Sequence, residues 1–173
     1  MPPRPNAVPT LSSLPDTSHE HHALIEPHVD RLPELAESLG RLSPAEFAAA
    51  FQTECGFIVG RLVPHMATIE TALYGRLEEV MGGRHSMAPM RREHEDLRGL
   101  FAALCRYGDL VRAERLTDVD EIGLRRVLYR LYAMLKVHLA EEELYLGVLD
   151  RSLTPGEKDE LARLLDHAGA EPL

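Results

Sequence analysis

The chain has 173 residues, a length typical of one domain, and its 45% hydrophobic and 27% charged residues are ordinary for a folded protein. Nineteen lysines and arginines against 28 aspartates and glutamates give a net charge of −9, which argues against nucleic-acid and anionic-membrane partners. No apolar run reaches the roughly 20 residues that cross a bilayer, and residues 1–18 lack the charged start and apolar middle of a signal peptide. We therefore expect a cytoplasmic protein.

The amino-terminal residues differ in composition from the rest of the chain. Residues 1–16 contain five of the twelve prolines, which predicts a flexible tail followed by one folded domain over residues 17–170. Two cysteines, Cys55 and Cys105, are too few for a disulfide scaffold and lack the spacing of a metal site. We expect both to be reduced thiols on the buried faces of helices.

From residue 17 onward, apolar residues recur every three or four positions, and no alternating run indicates a strand. Pro27 and Pro33 should kink the first helix or delay its start, and Pro64 should bend the second. Long amphipathic helices with short connections favour an all-α fold, an antiparallel four-helix bundle with a short extra carboxy-terminal helix. The five helices are predicted over residues 18–39, 44–82, 89–111, 118–149 and from 155 onward.

One histidine lies on the apolar face of each of the four long helices. A single histidine in such a place is more often a hydrogen-bonded core residue than a ligand. Four of them, joined by Glu142 one turn after the last, would be costly to bury unless a bound metal cation compensated them. Imidazole and carboxylate donors without thiolate suit iron, manganese, zinc or cobalt rather than Cu(I). The four histidines are His22, His65, His94 and His138.

Four segments carry these histidines in a specific order. They are HHALIE at 21–26, PHMATIETALY at 64–74, PMRREHEDLR at 89–98 and HLAEEE at 138–143. Their order and separation over about 130 residues resemble those of hemerythrin-like (HHE cation-binding) domains. The resemblance implies a four-helix bundle with a non-haem di-iron centre, bridged by oxo and carboxylate groups. Such a centre binds O2 or a related small molecule, NO or peroxide, and redox activity is left open; zinc and manganese are alternatives to iron.

The same resemblance assigns the metal ligands residue by residue. His21 is the alternative to His22 in a neighbouring register, and Glu143 is the alternative to Glu142. The implied ligands are His22, His65, Glu70, His94, His138 and Glu142.

Two positions depart from the family pattern. The second helix of the family has His-x-x-x-Glu-Glu, and Ile69 stands where the first glutamate belongs. Glu70, five residues after His65, needs a local distortion of the helix to reach the site; otherwise the second carboxylate is missing or is replaced by Glu26. Oxygen-carrying members place a further histidine where this chain has Arg98, which argues against reversible oxygen carriage. It favours members that sense iron or oxygen, handle NO or use peroxide.

The remaining polar residues receive simpler interpretations. Tyr74 and Tyr145 are expected to be core residues or hydrogen-bond donors to the site's carboxylates. Glu141 and Glu143 are interpreted as a solvated charge run. Four histidines are expected at the surface: His19, His28, His85 and His167.

Two functions compete with the di-iron hypothesis. One is a metal-dependent sensor or structural module with a mononuclear or incomplete site, which the isoleucine at position 69 favours. The other is a metal-free bundle with buried histidines. The sequence does not decide whether the protein is an enzyme, nor its oligomeric state.

Overall fold

The computed structural model describes residues 14–82 and 86–170, and within these ranges every regular element is a helix. The elements are α1 (Leu14–Ser38), α2 (Pro44–Phe57), a π-helical turn (Ile58–Leu62), α3 (Val63–Ala72), α4 (Tyr74–Val80), α5 (Ala88–Arg112), α6 (Asp118–Ser152) and α7 (Pro155–Ala170). The segments from α2 to α4 form one interrupted rod, so four long rods make the bundle and α7 packs against α1 and α3. The predicted all-α bundle is confirmed. None of the described helices combines the length and apolar character needed to cross a bilayer.

The first helix begins earlier than the sequence predicts and runs through both of its prolines. α1 starts at Leu14 and includes Pro27 and Pro33. An interior proline costs roughly 3 kcal/mol, but the inward face of α1 is almost wholly buried, as at Val29 and Leu32, and that burial offsets the cost. Residues 1–13 of the predicted tail lie outside the described residues, and the tail stays a prediction.

The second rod is interrupted twice. Pro64 has no N–H to donate, and in a regular α-helix its ring would clash with the carbonyl of Gly60, so the helix widens into the π-helical turn just before it. The sequence predicts a distortion at this proline, and the turn is its form. A second break at Leu73, with φ of −101°, is not predicted. Because of it, Tyr74 begins a new helical segment.

Capping boxes fix where two of the rods begin, directly after short connections. At the start of α2 the backbone N–H of Glu46 donates to Oγ of Ser43 at 3.4 Å, and the N–H of Ser43 donates to the Glu46 carboxylate at 3.0 Å. Thr117 and Asp120 form the same capping box before α6, with distances of 3.3 and 3.0 Å. Because these starts follow short connections, α1 packs antiparallel to α2 and α5 antiparallel to α6.

Two apolar clusters fill the bundle, one on each side of a polar layer. In α6 the leucines before position 140 belong to the larger cluster and those after position 145 to the smaller one, so Glu142 lies between them. In α5, His94 lies between Met90 of the smaller cluster and Leu97 of the larger. The helical pattern therefore brings the inward polar residues of different rods to a common depth.

The two cysteines do not share one environment. Cys55 is half-buried, whereas Cys105 is exposed, so the expectation of two buried thiols is wrong for Cys105. The inward positions of α5 at this level are Phe101 and Leu104. The residue after Leu104 is rotated by about 100° from it and faces outward.

Replacing Leu131 by alanine should destabilise the chelator-treated protein by about 2–5 kcal/mol, because this α6 side chain is fully buried (0% exposed). The matched control is Leu144→Ala in the same helix, where the side chain is 72% exposed and the change should stay within about 0.5 kcal/mol. Urea unfolding measures both variants. Equal losses would contradict the assignment of the larger cluster as the core.

Candidate metal centre

Four histidines meet in the polar layer, one from each rod of the bundle. His22 comes from α1, His65 from α3, His94 from α5 and His138 from α6. Each exposes at most 2% of its surface, and Glu142, one turn after His138, exposes 1%. The inward placement that helical spacing predicts for these five residues is what the structure shows.

The carboxylate of Glu142 lies at the centre of this layer. Its Oε1 is 3.6 Å from Nε2 of His22, and its Oε2 is 3.5 Å from Nε2 of His65 and 3.8 Å from Nε2 of His138. These separations lie at or beyond the limit of a hydrogen bond, and neither oxygen accepts a hydrogen bond within the part of the chain that the structure describes. A buried carboxylate without hydrogen bonds costs several kcal/mol unless a positive charge compensates it.

The neighbouring imidazoles keep this carboxylate ionised. Burial would raise the pKa of Glu142, but His65 and His22 hold it well below its usual range. Burial would lower the pKa of His22, yet the carboxylates of Glu142 and Glu143 outweigh it, and the pKa is raised. Without a metal ion, a proton on His22 therefore supplies part of the positive charge that the carboxylate needs.

His94 and His138 face each other across the layer. Their Nε2 atoms are 3.0 Å apart. Nδ1–H of His94 donates to Glu70 at 3.2 Å, and Nδ1–H of His138 donates to Glu93 at 3.1 Å. With the ring proton on Nδ1, each Nε2 keeps a lone pair. In the metal-free chain the Tyr74 hydroxyl donates to Nε2 of His94 at 3.0 Å, and a cation bound by both Nε2 atoms would take the place of that hydrogen bond.

Carboxylates at the edge of the layer hold the outer nitrogens of three histidines. Besides Glu70 and Glu93, Glu143 accepts a hydrogen bond from Nδ1 of His22 at 3.3 Å. Such carboxylates orient the rings of metal-binding histidines and leave Nε2 for the metal. The sequence missed this role of Glu93 and Glu143. Glu93 adjoins His94 in the chain but serves the histidine of another helix, and no spacing rule reveals that contact.

Glu70 reaches the layer from its outer side. Its Oε2 also accepts a hydrogen bond from the Arg98 guanidinium at 2.5 Å. Burial would raise the pKa of Glu70, but Arg98 and His94 lower it. The carboxylate therefore lies behind His94 and not beside Glu142, while Ile69 is fully buried in the smaller apolar cluster. The ligand role of Glu70 stays a prediction.

Glu26, the substitute carboxylate that the sequence leaves open, does not join the layer. Glu26 forms an ion pair with Lys136 at 3.5 Å and its side chain is 46% exposed. The side chain of His21 lies outside the described residues, whereas His22 is buried beside Glu142. The structure therefore places His22 in the layer.

Tyr74 closes the layer next to His94. Its hydroxyl donates to Nε2 of His94 at 3.0 Å, and the Arg91 guanidinium lies 5.3 Å from its ring centroid. Burial first, and the nearby carboxylates second, raise the pKa of Tyr74, so the phenol remains a donor. The sequence predicts a core residue or a donor to carboxylates; Tyr74 is buried, but its partner is a histidine. Tyr145 packs against the smaller apolar cluster.

Of the histidines expected at the surface, one is exposed and one is not. The side chain of His19 is 74% exposed. The expectation is wrong for His28, because its Nδ1–H donates to the buried Glu54 at 2.7 Å and its ring stacks on Phe57. Two positions lie outside the described side chains: His85 and His167.

The donor set fits a transition metal. One nitrogen each from His22 and His65 and one oxygen from Glu142 lie within 4.8 Å of one another. That spacing suits ligands that share one ion at roughly 2.0–2.2 Å from each donor. Nε2 of His138, 3.8 Å from Oε2 of Glu142 and 3.0 Å from Nε2 of His94, brings a second pair of nitrogen donors to the same layer. Nitrogen and oxygen donors of this kind suit iron, manganese or zinc.

Comparison with known families agrees with this geometry. The family model of the hemerythrin HHE cation-binding domain matches residues 14–167, a range that contains every residue of the polar layer. No curated protein matches the chain, and no solved structure matches it either.

In the metal-free protein, His94 should make folding acid-sensitive. Burial, reinforced by His138, lowers the pKa of His94 from 6.5 to about 4. The unfolded chain therefore binds a proton at this residue that the folded chain does not, and stability falls as the pH drops from about 6.5 to about 4. The contribution is about 3 kcal/mol over that window.

Urea unfolding of chelator-treated protein at about pH 7.5 and about pH 4.5 measures this effect. His94→Gln should flatten the pH dependence. Leu97→Ala in the same helix should lower stability by a similar amount at both pH values. An unchanged pH dependence in His94→Gln would contradict the assignment.

Proposed function

The chain belongs to the hemerythrin HHE cation-binding domain family, and from this premise we propose that it is a non-haem iron protein whose two-iron centre binds O2 or a related small molecule, NO or peroxide. The observation that carries the proposal is the Glu142 carboxylate. It is buried, accepts no hydrogen bond within the described part of the chain, and is surrounded by Nε2 atoms of three histidines. Metal-binding domains of this fold place such donors in the bundle core.

The donors divide into two groups that share Glu142. Nε2 of His22 is 3.6 Å from Oε1 of the carboxylate and Nε2 of His65 is 3.5 Å from Oε2. Nε2 of His138 is 3.8 Å from Oε2 and 3.0 Å from Nε2 of His94. In this proposal His22 and His65 would hold one iron, His94 and His138 would hold the other, and Glu142 would serve both. Iron supplies the redox change and the affinity for a small diatomic or peroxide ligand.

The surrounding residues prepare these donors. The Nδ1 contacts to Glu70, Glu93 and Glu143 fix ring orientation and tautomer. In this proposal Arg98 holds the Glu70 carboxylate, and Glu70 positions His94 through its hydrogen bond to Nδ1. The two apolar clusters exclude water from both sides of the layer, which limits the escape of reactive species.

The partners and location expected from the sequence remain part of the proposal. We propose a cytoplasmic protein that binds a small molecule, and the net charge of −9 argues against nucleic-acid and anionic-membrane partners.

Replacing Glu142 by glutamine should abolish stable loading of the centre. The variant keeps the shape of the side chain but removes the charge that both iron ions share. Anaerobic reconstitution followed by metal analysis should give about two iron ions per chain for the wild type and less than one for Glu142→Gln.

The matched control is Glu143→Gln, the adjacent residue. It should load nearly as much iron as the wild type, because Glu143 contacts only the outer nitrogen of His22 among the donors. If Glu143→Gln lost the metal and Glu142→Gln kept it, the assignment would be wrong.

Restoring a carboxylate at position 69 should strengthen the centre. Ile69 lies on the inward face of α3, one turn after His65, so Ile69→Glu should slow the loss of iron to a chelator by about tenfold. Ile69→Gln, which has the same length but no charge, should not. Equal chelator rates for the two variants would show that position 69 does not face the metal.

A second candidate function is a metal-dependent sensor or structural module with one metal ion. It is favoured by the compact grouping of His22, His65 and Glu142, together with the isoleucine that replaces the second bridging carboxylate. In that case metal removal should lower the melting temperature strongly while peroxide turnover is absent. Two iron ions per chain and measurable turnover would favour the first function.

A further inference from the structure

A groove between α2 and α5 brings both cysteines of the chain to one surface. Its volume is about 330 Å³, and its lining includes Cys55 and Gly56 from α2 and Cys105 and Gly108 from α5. The lining positions on each helix recur every three or four residues, so one face of α2 lies opposite one face of α5. These two thiols are the only cysteines in the sequence.

The register of the two helices sets the cysteines at the same level. A Cβ placed on Gly108 would lie 3.3 Å from the ring of Phe51, so these two positions are opposite each other. The rods are antiparallel, and therefore moving four residues forward from Phe51 and three or four backward from Gly108 leads to facing positions. Those positions are occupied by Cys55 and by Leu104 and Cys105.

The two thiols differ in accessibility. Cys105 is exposed, whereas Cys55 is half-buried. Burial, together with the neighbouring Cys105 and Glu54, raises the pKa of the Cys55 thiol. An oxidant from solvent therefore meets Cys105 first, and Cys55 stays a protonated thiol until the sulfur opposite it becomes electrophilic.

This thiol pair is separate from the polar layer. Cys105 follows His94 by 11 residues in α5, which corresponds to about 16 Å along the helix. The chemistry of the thiols therefore does not require a metal ion in the layer.

We propose that Cys55 and Cys105 form a redox modification site, at which a hydroperoxide converts the two thiols into a disulfide that links α2 to α5. The Cys105 thiolate attacks the peroxide O–O bond, which gives a sulfenic acid and releases water when the substrate is hydrogen peroxide. The Cys55 sulfur then attacks the Cys105 sulfur, the S–O bond breaks, and the leaving hydroxide takes the Cys55 thiol proton and departs as a second water. In balance, two thiols and one hydrogen peroxide give one disulfide and two waters.

The test uses full-length protein treated with one equivalent of hydrogen peroxide and quenched with an alkylating reagent. Intact mass and peptide mapping should show a complete loss of both free thiols, a mass lower by two hydrogen atoms, and a peptide in which Cys55 is joined to Cys105. The share of the product that is the intrachain disulfide, and not a linked dimer, should be independent of protein concentration, because the bond lies within one chain.

Single variants separate this site from ordinary surface oxidation. Cys55→Ser should retain a sulfenic acid at Cys105 that a dimedone probe captures, and Cys105→Ser should leave Cys55 unmodified over the same time. The proposal is overturned if the wild type accumulates oxygen adducts on Cys105 with Cys55 free. It is also overturned if the product is a dimer linked through Cys105, or if both thiols survive peroxide. Because neither variant alters the polar layer, iron loading is a separate readout that should remain at the wild-type value.

Discussion

The burial of one carboxylate among imidazole rings organises this molecule. Glu142 places a negative charge where the bundle excludes water, and a charge in that position is tolerated only if opposite charge accompanies it. The four rods supply groups that can carry or bind that positive charge, because each directs one histidine to the depth of Glu142. In the metal-free chain the raised pKa of His22 compensates in part; with a metal ion bound, the imidazole nitrogens become donors and the cation takes over the compensation.

Orientation of the rings comes from the edge of the bundle. Glu70, Glu93 and Glu143 are partly exposed, yet each accepts the Nδ1 proton of a buried histidine. This division is physically sensible, because a partly solvated carboxylate costs little to keep charged while its hydrogen bond fixes the tautomer inside. Arg98 in turn donates a hydrogen bond to Glu70 and holds that carboxylate in place.

Helical periodicity is sufficient to predict the four rods, their caps and the inward placement of the histidines and Glu142. Those features depend on the 3.6-residue repeat, which the sequence displays directly. The contacts made by Glu93 and Tyr74 could not be predicted, because each joins residues from different rods. The break at Leu73 is not predicted, because no proline or glycine occupies that position. The prediction for Cys105 is wrong because one residue along a helix turns the side chain by about 100°. The residue after the buried Leu104 therefore faces outward.

The π-helical turn before Pro64 has an implication for how this protein can vary. The turn holds one more residue than an α-helical turn would, so deleting one residue within Ile58–Leu62 would close it into an ordinary α-helical turn and leave the direction of His65 unchanged. A second deletion would rotate the rest of the rod by about 100° and swing His65 out of the layer. Side-chain replacements at solvent-facing positions of this segment, such as Val59, leave that phase untouched. Beyond that one residue, chain length here is constrained more tightly than residue identity, even though the segment lies outside the ligand set.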